Sequence, residues 1–192
     1  MRLRRKFRRL DLARATGFDF QLDFFQLFGL PTRYRVDGDV LEQRFHALQM
    51  QVHPDRFSHL PEPERRVSMQ WATRVNEAYQ TLVDPVSRAR YLLALRGVHT
   101  EEETNTAMPA DFLLEQMEWR EAIHEARTMC DAAALDELEQ RLQNDMHILQ
   151  QQLADKIDTE HDYIVAAGTV RKLKFLEKLT DEIDSAYDQL DH

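Results

Sequence analysis

Cysteine is almost absent from this chain, because Cys130 is the only one among its 192 residues. One thiol can form no disulfide within the chain and supplies no pair of sulfur ligands for a metal. The sequence also contains no apolar run that approaches the length of a membrane span. With only five glycines and six prolines among many helix formers, the composition predicts an all-α protein of one or two small domains.

Positive charge is scarce in the second half of the chain. The net charge of −9 divides into +5 for residues 1–20, +1 for residues 21–97 and −15 for residues 98–192. Because phosphate binding needs clustered cations, the acidic half argues against nucleic acid as its ligand. It is compatible with a protein partner that carries a basic patch.

Two stretches with helical periodicity flank the tripeptide His53-Pro54-Asp55. Their apolar residues recur every three or four positions, which is typical of helices with one buried face. The residue before a proline avoids the α region, so the first helix should end at Val52 or at the histidine, and the second should begin near Glu62. The apolar positions are Leu41, Phe45, Leu48 and Val52, then Val67, Trp71, Val75, Ala78 and Leu82. We therefore predict an antiparallel hairpin with the tripeptide exposed at its tip.

Shorter helices are predicted on both sides of this hairpin. A helix over residues 23–29 should precede it, and a helix over residues 85–96 should follow it. Asp37 or Asp39 is placed to cap the first hairpin helix, and the spacing of Asp39 and Glu42 is that of a capping box.

A polar, acidic linker at residues 98–108 separates the hairpin region from three further amphipathic helices. They are predicted at residues 109–128, 132–157 and 160–190, and short connections favour a three-helix bundle. The last helix should bury Val165, Leu173, Leu176, Ile183, Tyr187 and Leu190. The predicted organisation is an extension at 1–20, a first domain at 21–97, the linker at 98–108 and a second domain at 109–192.

The first helix of the bundle has two apolar stripes. Phe112, Trp119, Ile123 and Ala126 fall within about 40° of one line and form the predicted core stripe. Leu113, Leu114 and Met117 lie roughly on the opposite side, flanked by Glu118 and Glu121. Either the helix is buried on both sides or this second stripe is exposed and binds a partner; the acidic neighbours favour exposure. Phe175 falls about 100° from the core line of its own helix and is not expected in the core.

The residues alone do not assign chemistry to the tripeptide. A catalytic interpretation makes His53 a base oriented by Asp55, but the sequence has no nucleophile motif and no glycine-rich phosphate loop. A metal site joining His46, His53 and His59 lacks acidic or cysteine ligands. The simplest interpretation is a helix end followed by a loop, with no metal and no cofactor.

Five segments give the chain a family resemblance. Residues 22–31 (LDFFQLFGLP), 44–57 (RFHALQMQVHPDRF) and 76–93 (NEAYQTLVDPVSRARYLL) together resemble a J domain, the module that activates DnaK-class chaperone ATPases. Residues 112–121 (FLLEQMEWRE) and 170–179 (VRKLKFLEKL) narrow the match to the HscB family, the J-type co-chaperones of iron–sulfur cluster assembly. The resemblance extends from about residue 22 to the C-terminus.

The resemblance implies a J domain, a C-terminal helical domain and two binding sites. The implied contacts with a DnaK-class (HscA-like) ATPase are His53, Pro54, Asp55, Arg44 and Arg56. The implied contacts with an iron–sulfur scaffold protein (IscU-like) are Leu113, Leu114, Met117, Glu118, Glu121 and Phe175. The expected function is that of a co-chaperone which delivers the scaffold and stimulates the ATPase, without enzymatic activity of its own. The alternative is a helical adaptor with a degenerate J domain.

The helix before the tripeptide departs from the J-domain pattern. It is usually basic, but here Arg44 is its only cation, and Gln43, Gln49 and Gln51 occupy positions where Lys or Arg is common. This difference suggests modest affinity or a dedicated chaperone partner.

Residues 1–20 lie outside the resemblance. Their arginines are compatible with a transit peptide, a nucleic-acid or membrane-surface tail, or a functionless and disordered extension. We favour the extension, and expect a monomer in the bacterial cytoplasm, with the mitochondrial matrix as the alternative.

Overall fold

The computed structural model of the chain describes residues 19–57, 61–100 and 110–190. Every regular element in these ranges is helical, which confirms the predicted fold class. The helices are α1 (Phe24–Leu27), α2 (Gly38–Val52), α3 (Glu62–Val83), α4 (Pro85–Leu95), α5 (Ala110–Thr128), α6 (Ala132–Asp155) and α7 (Tyr163–Leu190). A 3₁₀ turn, Pro54–Phe57, follows α2, and a π-helical turn, Lys156–Glu160, follows α6. None of the helices in the described ranges is both long and apolar enough to span a membrane.

The chain divides into two compact units, Met1–Arg88 and Ala89–His192. The division falls inside α4, upstream of the predicted linker at 98–108. Most of that linker, residues 101–108, lies outside the described ranges. The predicted domain limits therefore stay a prediction.

The first unit is built on the hairpin of α2 and α3. The rings of Phe45 and Tyr79 stack with their centroids 4.0 Å apart. Further towards the tip, the buried Ser68 hydroxyl donates a hydrogen bond of 3.0 Å to the carbonyl of Val52. Contacts between the middle of α2 and late α3, and between the end of α2 and early α3, make the two helices antiparallel, as predicted. The α3 core stripe is confirmed at Trp71, Val75, Ala78 and Leu82, all of which are buried.

Local hydrogen bonds explain where the first helices begin. Asp37 caps α2, since its side chain accepts from the Val40 N–H at 3.1 Å. The alternative capping box of Asp39 and Glu42 is wrong, because Asp39 already lies in the first turn of the helix. A capping box does occur at α1, where the side chain of Asp23 and that of Gln26, three residues later, each accept from the other's backbone N–H.

Two arginines fasten α1 and its flanking residues to the hairpin. Arg74 of α3 donates to the carbonyl of Leu22 at 2.7 Å. The Nη1 atom of Arg44 donates to the carbonyls of Phe28 and Gly29, each at 2.6 Å. Gly29 has a left-handed φ of 61°, and an added Cβ would lie 2.7 Å from that Nη1 atom. The left-handed backbone angle therefore favours glycine here, whereas the guanidinium is the end of a flexible side chain that can shift to admit a Cβ.

The last residue of the predicted extension, Phe20, contacts the hairpin. Its ring stacks on that of Trp71 with ring centroids 3.9 Å apart. Including Phe20 in a disordered extension was therefore wrong, because its ring covers a core residue of the hairpin. Residues 1–18 of the extension lie outside the described ranges.

The second unit contains the three-helix bundle of α5, α6 and α7. The predicted core stripe of α5 is confirmed, since Phe112, Trp119, Ile123 and Ala126 are all buried. The other core members are Leu135, Leu142, Phe175, Leu176, Leu179, Ile183 and Ala186. Val165 was wrongly placed in the α7 core stripe, because Ala166 and Ala167 turn inward at that level and leave Val165 exposed.

A tyrosine and a carboxylate connect two helices of the bundle. The Tyr187 hydroxyl of α7 donates to Oδ1 of Asp136 in α6 at 2.5 Å. This hydrogen bond to a carboxylate, helped by partial burial, raises the pKa of Tyr187 to about 12. The phenol therefore stays protonated, and keeps its bond to α6, to a higher pH than an ordinary tyrosine would.

The turn between α5 and α6 uses a residue in the left-handed region. Cys130 has a φ of 52° and is exposed. Its N–H donates to the carbonyl of Arg127, and the next N–H, that of Asp131, donates to the carbonyl of Ala126. This pattern of bonds at a helix C-terminus favours glycine at the left-handed position.

Ser68→Ala should lower the free energy of unfolding by about 1–3 kcal/mol, because a buried carbonyl at the end of α2 would lose its donor. Chemical denaturation followed by circular dichroism measures the change. Thr73→Ala is the matched control, since its exposed hydroxyl donates only within α3, to Met69. Equal effects of the two substitutions would contradict the assigned role of Ser68.

Cys130→Gly should raise the free energy of unfolding by roughly 0.5–1 kcal/mol, because glycine avoids the left-handed strain at some cost in chain entropy. Thermal melting of the wild type and of the Cys130→Gly variant measures the change. The control Met129→Gly, one residue earlier and still bonded to Glu125 as in a helix, should melt below wild type. A Cys130→Gly variant that melts below wild type would contradict the expectation.

Candidate functional site

The tripeptide lies where α2 ends and the 3₁₀ turn begins. His53 leaves the helical conformation with a ψ of 128°, as the following proline demands. The side chain of His53 is 54% exposed and that of Asp55 is 91% exposed. The predicted exposure of these two residues is therefore confirmed.

His53 and Asp55 also contact each other. The backbone N–H of Asp55 donates to Nδ1 of His53 at 3.3 Å, and the same Nδ1 lies 3.7 Å from Oδ2 of Asp55. Because Nδ1 acts as the acceptor, the proton of the neutral ring is on Nε2. The carboxylate remains exposed, and a carboxylate can accept two strong, charge-assisted hydrogen bonds from an arginine.

At the tip, hydrogen-bond donors from nearby residues satisfy the last carbonyl groups of α2. Arg56 Nη1 donates to the carbonyl of Met50 at 3.2 Å, and Ser68 donates to that of Val52. The Arg56 N–H also donates to the carbonyl of His53 at 3.1 Å. A helix end leaves four carbonyls without helical partners, so these bonds hold the backbone of the tip in one geometry.

Arg44 is not brought to the tip. It precedes His53 by nine residues of helix, about 13 Å along the axis. Its guanidinium is bound instead to the carbonyls of Phe28 and Gly29 at the end of α1. The structure therefore gives Arg44 a structural contact, whereas Arg56 lies next to His53 and Asp55.

The second predicted site lies on the outer face of α5. Leu113, Leu114 and Met117 are 46%, 61% and 67% exposed, and Glu118 and Glu121 beside them are exposed as well. The choice of an exposed stripe over a second buried one is therefore confirmed. Clustered exposed apolar side chains mark interaction sites more often than isolated ones do.

Phe175 differs from the expectation. It is only 8% exposed and belongs to the bundle core, where its ring packs edge-on against Phe112 with centroids 5.5 Å apart. Placing it outside the core was wrong, because α7 packs against both α5 and α6 and therefore buries a wider arc than one stripe.

Two cations that the sequence did not single out as site residues lie against these rings. The Cζ atom of Arg120 in α5 lies 5.4 Å from the centroid of Phe175 in α7. In the reverse direction, Nζ of Lys172 in α7 lies 5.1 Å from the centroid of Phe112 in α5. Helical spacing reports which residues share a helix face but not which residue of a neighbouring helix covers a ring, so no sequence signal identified these pairs.

Arg171, Lys172, Lys174 and Lys178 form a basic run in α7, and such a run is typical of a solvated face whose cations form ion pairs. Lys174 does so, with Nζ 2.8 Å from Glu177. Arg171 is half-buried and donates to the carbonyl of Thr100 at 3.2 Å, and Lys172 lies over Phe112. The ion-pair pattern therefore applies to Lys174, whereas Arg171 hydrogen-bonds to the backbone and Lys172 lies against an aromatic ring.

A cleft of about 440 Å³ follows the seam between α5 and α7. It is lined by Arg120, Ile123, His124, Arg127, Asp181, Glu182 and Ser185. Within the part of the chain that the structure describes, no three His, Cys, Asp or Glu side chains are grouped to hold a metal ion. The histidine set considered above is only partly covered by that statement, because His59 lies outside the described residues.

Comparisons with known proteins agree with both halves of the chain. The profile of the HSCB C-terminal oligomerisation domain matches residues 108–184. Two proteins named "Co-chaperone protein HscB homolog", from Azoarcus sp. strain BH72 and Aromatoleum aromaticum, are 52% and 53% identical to this chain over 92% and 91% of its length and 99% of theirs.

Solved structures give the same result. Chaperone HscB from Vibrio cholerae aligns with a TM-score of 0.78 and 38% identity, covering 88% of this chain and 99% of that chain. Human co-chaperone protein HscB aligns with a TM-score of 0.82 and 32% identity, covering 87% and 83%. The chain therefore belongs to the HscB family of J-type co-chaperones, with a J domain followed by a C-terminal helical bundle.

Proposed function

We propose that this co-chaperone binds an iron–sulfur scaffold protein of the IscU type on the outer face of α5. It then brings the scaffold to a DnaK-class ATPase of the HscA type, whose ATP hydrolysis it stimulates through the hairpin tip. Holding both partners on one chain raises the effective concentration of one near the other, so delivery and stimulation are coupled.

The exposed stripe of α5 is the observation that carries the proposal. Leu113, Leu114 and Met117 expose 46–67% of their surface while the opposite stripe of the same helix fills the core. A helix that only had to stabilise the bundle would gain nothing from three large apolar side chains in water. A few apolar anchors of this kind usually provide most of the energy of a protein interface.

Charge supports a protein partner for this surface. Residues 98–192 carry a net charge of −15, and Glu118 and Glu121 adjoin the apolar stripe. A scaffold with a basic rim around an apolar centre would be steered towards this domain and oriented on it.

The tip suits recognition rather than catalysis. His53 and Asp55 are exposed on a backbone held by Arg56 and Ser68, which favours docking of a partner with little rearrangement. The scarcity of cations in α2, where Arg44 is already bound to the end of α1, favours a dedicated chaperone over a general one. We further propose that the chain has no catalytic activity or cofactor and acts as a monomer in the bacterial cytoplasm.

His53→Gln should abolish stimulation of the chaperone ATPase and leave the melting temperature and the scaffold Kd unchanged, because the side chain is exposed at the tip. Single-turnover ATP hydrolysis by the organism's own DnaK-class chaperone measures the effect. The control His147→Gln replaces an exposed histidine of α6 and should stimulate like wild type. Full stimulation by the His53 variant would remove His53 from the mechanism, whereas absence of stimulation by the wild type would favour the alternative, a helical adaptor whose J domain is degenerate.

Replacing Leu113, Leu114 and Met117 together with alanine should weaken scaffold binding by at least about 30-fold, the equivalent of losing one interface hot spot. The melting temperature should change little, because the three side chains are exposed. Isothermal titration with the scaffold protein and circular dichroism measure the two effects.

Two controls separate binding from folding in that experiment. Ile123→Ala removes a buried side chain and should cost about 2–5 kcal/mol of stability. Ile148→Ala removes a half-exposed apolar side chain of α6 and should preserve scaffold binding. A triple variant that melts early and still binds would mean that the two faces of α5 have been assigned the wrong way round.

A further inference from the structure

Phe175 combines two properties that conflict if it is a scaffold contact. The family resemblance implies that a partner touches it, yet only 8% of its surface is exposed. The side chain that separates this ring from solvent therefore affects how a partner can reach it.

The Arg120 side chain lies over this ring. Its Cζ atom is 5.4 Å from the ring centroid, and its Nε is 3.6 Å from Oε1 of Glu182. Arg120 is on α5, whereas Phe175 and Glu182 are both on α7, so the guanidinium crosses the seam between the two helices. The side chains of Arg120 and Glu182 are themselves 52% and 41% exposed. The cation thus covers a buried ring while staying in contact with water.

The position of Arg120 relates the cover to the exposed stripe. At about 100° per residue, Arg120 lies on the same side of α5 as Leu113 and Met117, within roughly 60° of them. A partner that covers those two side chains therefore meets the Arg120 side chain next. Next to Arg120 lies the cleft between α5 and α7, and its lining includes both Arg120 and Glu182.

We propose that Arg120, held by Glu182, is a movable cover that limits the access of the scaffold protein to the Phe175 ring. The inference rests on the proposed scaffold binding and adds a regulatory residue to that site. In the free protein the guanidinium shields the ring from water. On binding it swings out and the partner's apolar side chains replace it, so part of the binding energy is used to displace it.

The strength of the cation–ring contact and of the Arg120–Glu182 ion pair sets the expected change in the scaffold Kd. A cation over an aromatic ring at an exposed site and a surface ion pair are each weak interactions. Removing both should tighten scaffold binding by about three- to tenfold. The cover is therefore strong enough to be measured and weak enough to be displaced.

Scaffold titrations of four full-length variants test the cover. Arg120→Ala should lower the Kd three- to tenfold, and Glu182→Gln should lower it by a smaller factor because the cation–ring contact remains. Arg120→Lys keeps a cation over the ring and should bind close to wild type. Arg141→Ala is the matched control: its guanidinium lies 4.5 Å over the ring of Trp119 on the α6 side, and its loss should leave the Kd unchanged.

A double-mutant cycle tests whether the change in Kd caused by Arg120→Ala depends on the Phe175 ring. In a Phe175→Leu background, which keeps an apolar side chain without an aromatic face, Arg120→Ala should no longer tighten binding. Weaker binding by Arg120→Ala would make the arginine a direct contact with the partner and overturn the proposal. An unchanged Kd, or an equal gain in the Phe175→Leu background, would overturn it as well.

A measurement without the scaffold protein keeps this inference separate from the proposed function. In the NMR spectrum of the free wild-type chain, the Arg120 side-chain protons should show upfield ring-current shifts that disappear in Phe175→Leu. Absence of these shifts would overturn the cover whatever the chain binds. If the shifts are present but the wild type binds no scaffold, the proposed function is wrong, and with it the role of Arg120 in access.

Discussion

The last carbonyl groups of α2 need hydrogen-bond donors, and the way these are supplied determines the geometry of the hairpin. The following proline, Pro54, has no N–H to offer and stops the helix, so the donors come from other parts of the chain. Ser68 reaches across from α3 to Val52, and Arg56 folds back from the 3₁₀ turn to Met50. The same bonds that close the helix therefore join it to α3 and leave His53 and Asp55 exposed on a fixed backbone.

Arginine has a similar role elsewhere in the first unit. Arg44 and Arg74 hold α1 and its flanking residues through backbone carbonyls. A guanidinium bound in this way is not available to an acidic partner at the tip. This explains in physical terms why a J domain with so few cations in α2 would depend more on the shape of its tip than on long-range attraction.

In the second unit, the two faces of α5 lie in different environments. The inward face, with Phe112 and Trp119, makes the bundle stable, and the outward face keeps Leu113, Leu114 and Met117 in water. If the outward face binds the scaffold as proposed, stability and recognition depend on different residues of one helix, and the binding face can vary without unfolding the domain. Between the two faces, cations lie over the aromatic rings at the edges of the core.

The periodic residues alone were sufficient to predict most of this architecture. The all-α class, the end of α2 at Val52 and the two faces of α5 follow from local rules of helix spacing and proline geometry, which operate within a few residues. The J domain was recognisable because the tripeptide lies between helices with a specific pattern, and the HscB family was recognisable because residues 112–121 and 170–179 match it as well.

Tertiary packing determined burial and side-chain pairing that local sequence rules do not predict. Phe175 is buried because α7 packs against two neighbours, which widens the buried arc beyond one stripe. Phe20 belongs to the hairpin because Trp71, 51 residues later, provides a ring to stack on. Arg44 and Arg120 received their partners from other helices. Helical periodicity describes one helix at a time, whereas burial and side-chain pairing depend on residues that are distant in the sequence and close only after folding.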